Sequence, residues 1–205
     1  MIIDVSKYQG EIDWRKAAPH IEGAFIKATG EETAGPIPFR DARFAYNWVA
    51  ARAAGIRVGA YHFMDGGKDS ASGKTEAEFF LATVGEFRPG DFRPVLDVEW
   101  PPKSGREFQI EQLGEAVEYI RARVGWPIIY TGRWYWDQII DSSDFEELLP
   151  CPLWIASYTA SPPPAPKPWD SAALWQFTDK GTVPGIAGPV DCNRLLGRLE
   201  DLVLA

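Results

Sequence analysis

Residues 94–100 (Pro-Val-Leu-Asp-Val-Glu-Trp) join a short apolar run to two acids. The apolar residues predict a buried strand, with Asp97 and Glu99 at its end. Side chains two positions apart on a strand point to the same face, so the two carboxyl groups should share one site, with Cα atoms about 6–7 Å apart. Close, buried acids disfavour each other's ionisation, so one of them should keep its proton near neutral pH. The stretch predicts acid–base chemistry, although a solvated Asp and Glu beyond a strand end would give the same pattern.

Further apolar runs surround this strand in a regular order. Five of them, each followed by a segment with helical signals, cover residues 2–5, 24–28, 57–63, 94–99 and 127–131. Repeated strand and helix units predict a parallel sheet with helices packed outside it. After Pro150, three more strand-like stretches are separated by proline and glycine rather than by helices, and they cover residues 153–158, 174–178 and 190–193. Eight strands can close into a barrel filled by side chains, so the predicted fold is an α/β, irregular β/α barrel of five βα units followed by three strands with few helices.

Composition sets limits on domains and partners. The 205 residues are 45% hydrophobic, which predicts a single domain over residues 1–205. A net charge of -8 disfavours nucleic acid as a partner. Cys151 and Cys192 could form one bridge, but free thiols are favoured. Neither a signal peptide nor a membrane span is predicted, so synthesis in a cytoplasm is expected.

Acidic residues also mark the other strand ends of the expected barrel. In β/α barrels the chemistry gathers at the C-terminal ends of the strands, where Asp4 lies near the end of the first strand and Asp191 lies in the last. Barrel closure puts the first and last strands side by side, so Asp4 and Asp191 should be neighbours, across the mouth from Asp97 and Glu99. A cleft with four carboxyl groups suits a divalent cation or a glycosidase, and coincidental surface acids are the third possibility.

Aromatic residues favour the glycosidase, because their faces stack on sugar rings. The sequence has nine Trp, more than a core of this size requires. Filling of the barrel core explains any single ring equally well. His62 and His20 lack a second histidine at ligand spacing, so a zinc site is disfavoured, and His62 should point towards the helices. No metal ligand and no cofactor is predicted for the site. The candidate substrate-binding residues are Tyr61, Phe63, Tyr130, Trp154, Tyr158, Trp175 and Gln176.

Seven motifs in order carry a specific resemblance. The chain resembles the lysozymes of glycoside hydrolase family 25, the muramidases of bacteria, fungi and bacteriophages. One departure is Thr29-Gly30-Glu31-Glu32-Thr33, where the family usually has Thr-Glu-Gly, and this change puts the sugar contacts of that loop in question. The matching motifs are residues 4–10 with 12–14, then 25–29, 59–63, 96–99, 154–158, 175–178 and 190–193.

The resemblance implies a reaction and roles for the acids. It implies cleavage of the β-1,4 bond between N-acetylmuramic acid and N-acetylglucosamine in peptidoglycan, with Glu99 as the general acid/base. Asp97, expected to stay ionised, would stabilise the sugar's acetamido group in a substrate-assisted, retaining reaction. Asp4 and Asp191 would tune the electrostatics, with a nucleophilic Asp191 as the alternative.

Further expectations accompany this function. The partner would be cell-wall peptidoglycan, and residues 1–205 would form a single catalytic barrel domain with no separate cell-wall-binding domain. The enzyme would be a monomer, acting on the wall after release or as part of a phage particle. The alternatives in function are a peptidoglycan-binding barrel without turnover and a glycosidase for another N-acetylated glycan such as chitin.

Overall fold

The computed structural model describes residues 1–30, 39–64, 72–99, 106–139 and 146–205. The strands of these ranges are β1 (Ile2–Val5), β2 (Gly23–Gly30), β3 (Phe39–Arg40), β4 (Arg57–Phe63), β5 (Val95–Asp97), β6 (Ile128–Gly132), β7 (Leu153–Ala156), β8 (Leu174–Gly181) and β9 (Val190–Leu195). The α-helices are α1 (Trp14–Ala17), α2 (Phe44–Ala53), α3 (Gly73–Val84), α4 (Arg106–Arg121) and α5 (Arg133–Ile139).

Eight of these strands close into a barrel, as predicted. Strands β1, β2, β4, β5, β6, β7 and β8 run parallel in that order, and β9 pairs with both β8 and β1 to complete the ring. The two-residue β3 lies outside the ring, antiparallel to β2. Strand β9 is antiparallel to both neighbours, whereas the repeated units had predicted a parallel sheet. A short loop joins β8 to β9, and such a connection suits an antiparallel pair because parallel strands need a longer crossover.

The helices follow the first five barrel strands, and the last three strands lack them, as expected. Helix α3 shows how the sequence sets a helix. The hydroxyl of Ser72 accepts a hydrogen bond from the Thr75 N–H at 3.2 Å, which caps its start. Gly85 ends the helix with φ of 76°, a conformation that glycine adopts without strain.

Two apolar layers lie on either side of the barrel wall. The outer layer packs strands against helices and includes Phe80 and Leu113. The inner layer fills the barrel, where the ring of Phe25 lies 4.5 Å from that of Phe92 and 4.6 Å from that of Trp154. Trp154 also lines a cavity at the barrel mouth, so the side chains of the inner layer form the floor of that cavity.

Cys151 and Cys192 are buried free thiols, in agreement with the sequence analysis. Burial raises the pKa of the Cys151 thiol to about 12. Among the described helices, none is long and apolar enough to span a bilayer.

Candidate active site

A cavity of about 280 Å³ opens at the C-terminal ends of the barrel strands, and all four predicted acids line it. Strand β5 ends at Asp97, earlier than predicted, and Glu99 lies two residues beyond it. Val98 between them is anchored to β6, because its N–H donates to the Tyr130 carbonyl at 2.8 Å and its carbonyl accepts the Thr131 hydroxyl at 2.7 Å. The extended geometry therefore continues past the strand, and both carboxyl groups face the cavity.

Asp4 and Asp191 are direct neighbours, as the closure of the barrel predicted. They lie opposite each other in the antiparallel pairing of β1 with β9. Asp4 accepts hydrogen bonds from Nδ2 of Asn193 at 2.7 Å and from Nε2 of Gln176 at 3.1 and 3.2 Å. The first and last barrel strands thus build one side of the cavity.

Burial raises the pKa of every acid in the cavity. The pKa of Asp4 rises to about 6, that of Glu99 to about 7 and that of Asp191 to about 8. Burial and the neighbouring Glu99 also raise the pKa of Asp97 well above its usual range. The sequence analysis expected an ionised Asp97 beside a protonated Glu99, and removal from water raises the pKa of both carboxyl groups.

Lys27 on β2 supplies a positive charge that the sequence analysis did not single out. It is the only Lys or Arg among the described residues that line the cavity. Its ammonium lies 4.7 Å from the ring centroid of Phe63 and lowers the pKa of both Asp97 and Glu99 against the effect of burial. The signal that could have identified Lys27 from the sequence is its position as a charged residue inside an otherwise apolar strand.

Asn193 was also overlooked as a site residue, although the same reasoning that paired Asp97 with Glu99 applies to it. It lies two positions after Asp191 on β9, so the two side chains share a face. Its buried amide contacts Asp4 directly.

Six of the seven predicted substrate-binding residues line the cavity, and Trp175 does not. Trp175 lies in the outer layer, where its indole N–H donates to the Ser157 carbonyl at 2.8 Å. Alternation along β8 explains this, because Gln176 points inward and its neighbour must point outward. The six that line the cavity are Tyr61, Phe63, Tyr130, Trp154, Tyr158 and Gln176.

A second cavity of about 490 Å³ adjoins the first and shares Glu99, Tyr130 and Tyr158 with it. Trp134 at the start of α5 forms part of its wall, with 56% of the residue exposed. The two cavities make one groove, with Glu99 at their junction. A larger hollow of about 800 Å³ beside α1 and α2 contains none of the four acids.

His62 lies on the opposite side of the barrel wall, as predicted. It is fully buried, with Nδ1 bonded to the Thr29 hydroxyl at 2.8 Å and Nε2 bonded to Glu76 at 2.8 Å. Within the described ranges, no group of three or more His, Cys, Asp or Glu is arranged to hold a metal ion. Trp100, the last residue of the stretch 94–100, and the loop residues 31–33, whose sugar contacts were in question, lie outside the described residues.

Comparison with known proteins gives consistent matches. Residues 3–186 match the family described as Glycosyl hydrolases family 25. The chain is 36% identical over 210 residues to the uncharacterized protein YegX of Escherichia coli O6:H1, covering 98% of this chain and 71% of YegX. It is 31% identical to Lysozyme M1 of Streptomyces globisporus, covering 98% of this chain and 69% of that lysozyme.

Solved structures agree with these matches. The bacterial lysozyme of Streptomyces coelicolor superposes with a TM-score of 0.82 at 28% identity, covering 98% of this chain and 93% of that one. A family 25 glycosyl hydrolase from Bacillus anthracis gives 0.80 at 29% identity, covering 97% and 89%. With its acids gathered at the mouth of the same barrel, the chain belongs to family 25 of the glycosyl hydrolases and is a glycoside hydrolase.

Proposed function

We propose that this enzyme hydrolyses the β-1,4 bond between N-acetylmuramic acid and N-acetylglucosamine in peptidoglycan. Membership of family 25 and similarity to the Streptomyces lysozymes support this substrate. The observation that carries the proposal is the position of Glu99, a carboxyl group with a pKa of about 7 at the junction of two cavities. The two cavities give room for a sugar on either side of the bond that is cut.

Glu99 is the general acid and then the general base. Its raised pKa keeps a proton on the carboxyl group near neutral pH, ready for transfer to the glycosidic oxygen as the bond to the anomeric carbon breaks. The same group, now ionised, takes a proton from the water that attacks next. A well-placed acid of this kind contributes about 10²–10⁴-fold to the rate.

Asp97 stabilises the acetamido group of the sugar whose anomeric carbon reacts. Its Oδ1, although itself buried, has no hydrogen-bond partner among the described residues. Asp97 lines the 280 Å³ cavity, where its carboxyl group can accept a hydrogen bond from the acetamido N–H. That hydrogen bond would favour the ionised carboxylate, against the effect of burial.

The acetamido carbonyl oxygen attacks the anomeric carbon while the leaving oxygen departs with the proton from Glu99. Positive charge then develops on the cyclised acetamido group, next to the carboxylate of Asp97. Water opens this intermediate from the face that the leaving group left, so the product retains its anomeric configuration. Substrate assistance of this kind is an exception to the scheme of two catalytic carboxylates.

This chemistry orients the glycan in the groove. The N-acetylmuramic acid residue occupies the 280 Å³ cavity, where Asp97 lies, and the leaving N-acetylglucosamine occupies the 490 Å³ cavity, where Trp134 lies. Proton transfer in this orientation occurs at the junction, beside Glu99.

The test compares wild-type protein with Glu99→Gln in a turbidity assay on purified cell walls. We expect the variant to clear walls about 10²–10⁴-fold more slowly. Glu78→Gln, on the exposed side of α3, is the matched control and should clear walls like the wild type. Equal clearance by wild type and Glu99→Gln would remove Glu99 from this role.

Product analysis tests the bond and the mechanism. Mass spectrometry should find muramic acid at the new reducing ends. Glucosamine ends would mean that the other glycosidic bond of peptidoglycan is cut, and turnover of soluble chitin oligomers would point to another glycan. NMR of fresh products should show the retained anomer. An inverted anomer would exclude substrate assistance by the acetamido group.

We also propose that one chain, as a monomer and a single catalytic domain, carries the activity on the cell wall. The support is that the four acids of the cavity lie at strand ends of one and the same barrel. The wall would be reached after release from the cytoplasm or as part of a phage particle. Light scattering of the active protein at its assay concentration should give the mass of one chain, and activity confined to a larger species would contradict this.

A further inference from the structure

We propose that Asp191 works as a neutral carboxylic acid that donates its hydrogen bond to an ionised Asp4, and that Asn193 and Gln176 are positioning residues that fix this arrangement. The pair then carries one negative charge, located on Asp4, and Asp191 is not a nucleophile. This inference rests on the proposed function of the same cavity and assigns a role to its second pair of acids.

The two carboxyl groups are close enough to require a shared proton. They face each other across β1 and β9, and the side chain of Asp191 is within hydrogen-bond reach of that of Asp4. Two carboxylates at this distance in a buried site repel each other strongly, so one proton is retained between them.

Hydrogen bonds decide which of the two holds the proton. Asp4 accepts from the amide nitrogen of Asn193 at 2.7 Å and from that of Gln176 at 3.1 and 3.2 Å. Amide N–H donors stabilise a carboxylate over a carboxylic acid. Because Asp4 is only 6% exposed, water does not replace these donors.

The Asn193 amide cannot turn around and offer its oxygen instead. Its Oδ1 accepts from the indole N–H of Trp154 at 2.8 Å, and an indole nitrogen can only donate. The Oε1 of Gln176 accepts from the hydroxyls of Tyr130 at 2.9 Å and Tyr158 at 3.0 Å, and its nitrogen lies on the side of Asp4. The nitrogen of Asn193 is therefore fixed towards Asp4, that of Gln176 adds a second donor, and the shared proton is assigned to Asp191.

Among the described residues, no positive group acts on Asp191 to favour its ionised form. Burial first, then Asp4 from β1 and Asp179 from β8, raise its pKa to about 8, while the pKa of Asp4 rises only to about 6. The other described groups that interact with Asp191 are an acid, two hydroxyls and a thiol, from Glu99, Tyr61, Tyr158 and Cys192. At neutral pH the pair thus keeps a single charge.

A fixed charge on Asp4 has a use in the proposed reaction. Positive charge develops near the anomeric carbon in the transition state, and a carboxylate already held in place stabilises it without reorganisation. A neutral Asp191 donates to Asp4 with one oxygen and offers the other to a sugar hydroxyl. An Asn at position 191 can do both, whereas an Asn at position 4 removes the charge.

The first experiment therefore compares Asp191→Asn with Asp4→Asn, the same chemical change on each side of one hydrogen bond. We expect Asp191→Asn to lose less than about tenfold in kcat, and Asp4→Asn to lose about a hundredfold. The basic limb of the pH profile should move to lower pH in Asp4→Asn, because a charge that interacts with Glu99 is gone, and should move less in Asp191→Asn. A loss in Asp191→Asn as large as that in Glu99→Gln would overturn the proposal.

A direct measurement covers the case in which a variant does not fold. Carbon-13 NMR of wild-type protein with labelled aspartate should show the carboxyl group of Asp191 titrating above pH 7 and that of Asp4 titrating below it. The reverse order would overturn the proposal. This titration needs no turnover, so it is independent of whether the wild-type protein cleaves peptidoglycan.

Discussion

The two sides of the barrel wall both bury titratable side chains, but they treat them differently. On the outer side, the two ring nitrogens of His62 are bonded to Thr29 on β2 and to Glu76 on α3. Helix α3 packs against β2 and β4 at this position. On the inner side, Asp97 has an oxygen with no partner among the described residues, and a cavity lies beside it. A buried polar group whose bonds are complete holds elements together, whereas one with an open bond beside a cavity is prepared for a ligand.

The two sides of the barrel wall also contribute differently to the stability of the folded state. Completed hydrogen bonds on the outer side stabilise the folded state by about 1 kcal/mol each. Carboxyl groups with raised pKa on the inner side destabilise it at neutral pH, since the unfolded chain ionises them more easily. Substitutions on the two sides should therefore have opposite effects on stability and activity.

The largest expected effect is loss of turnover in Asp97→Asn. An amide cannot supply the negative charge that stabilises the acetamido group in the transition state, so kcat on wall fragments should fall by about 10²-fold or more. Binding to insoluble walls should persist, and Asp170→Asn, whose side chain is 93% exposed, is the matched control. Unchanged turnover would mean that the open acceptor is not used in catalysis.

The alternation along β4 shows what the sequence could predict. Tyr61 and Phe63 were expected inside and His62 outside, and the structure has them there because side-chain direction in a strand is a local property. Closure of the barrel was also predictable, since eight strands in order leave few ways to bury their apolar faces.

The details that depend on contacts between distant strands were not predictable in the same way. The antiparallel β9 is set by its short connection, and the partners of Asp4 come from positions 176 and 193, at the other end of the chain. Trp134 is a similar case, because nothing in its local pattern shows that it borders the groove next to Glu99.

The next effect concerns the outer side. His62→Ala removes two buried hydrogen bonds and leaves a small cavity, so the free energy of unfolding should fall by about 2–4 kcal/mol. Urea unfolding would measure this, with His20→Ala as the control. Wall clearance per folded molecule at low temperature should remain near that of the wild type. Loss of activity without loss of stability would break the distinction between the two sides.

On the inner side, Glu99→Gln should raise the free energy of unfolding, whereas His62→Ala on the outer side lowers it. Because the pKa of Glu99 is raised to about 7, the folded state keeps a proton that the unfolded chain loses from about pH 4 upwards. Stability of the wild type therefore falls as pH rises through this window. The variant lacks that loss and should be more stable above pH 7 by up to about 3 kcal/mol. Thermal unfolding at pH 4 and pH 8 measures this, and an equal difference at both values would contradict the assignment.

The smallest expected effect tests how far the functional side extends along the groove. Trp134 is 56% exposed beside Glu99, and stacking of the leaving sugar on its ring should contribute about 1 kcal/mol. In the Glu99→Gln background, which prevents turnover, Trp134→Ala should weaken binding to walls by about fivefold, and Trp134→Phe should recover part of it. Tyr46→Ala is the control, since that ring is 49% exposed beside the hollow that contains none of the acids. If Glu99→Gln binds walls equally well with and without Trp134→Ala, the second cavity adds no affinity of its own. The sugar contacts would then be confined to the 280 Å³ cavity.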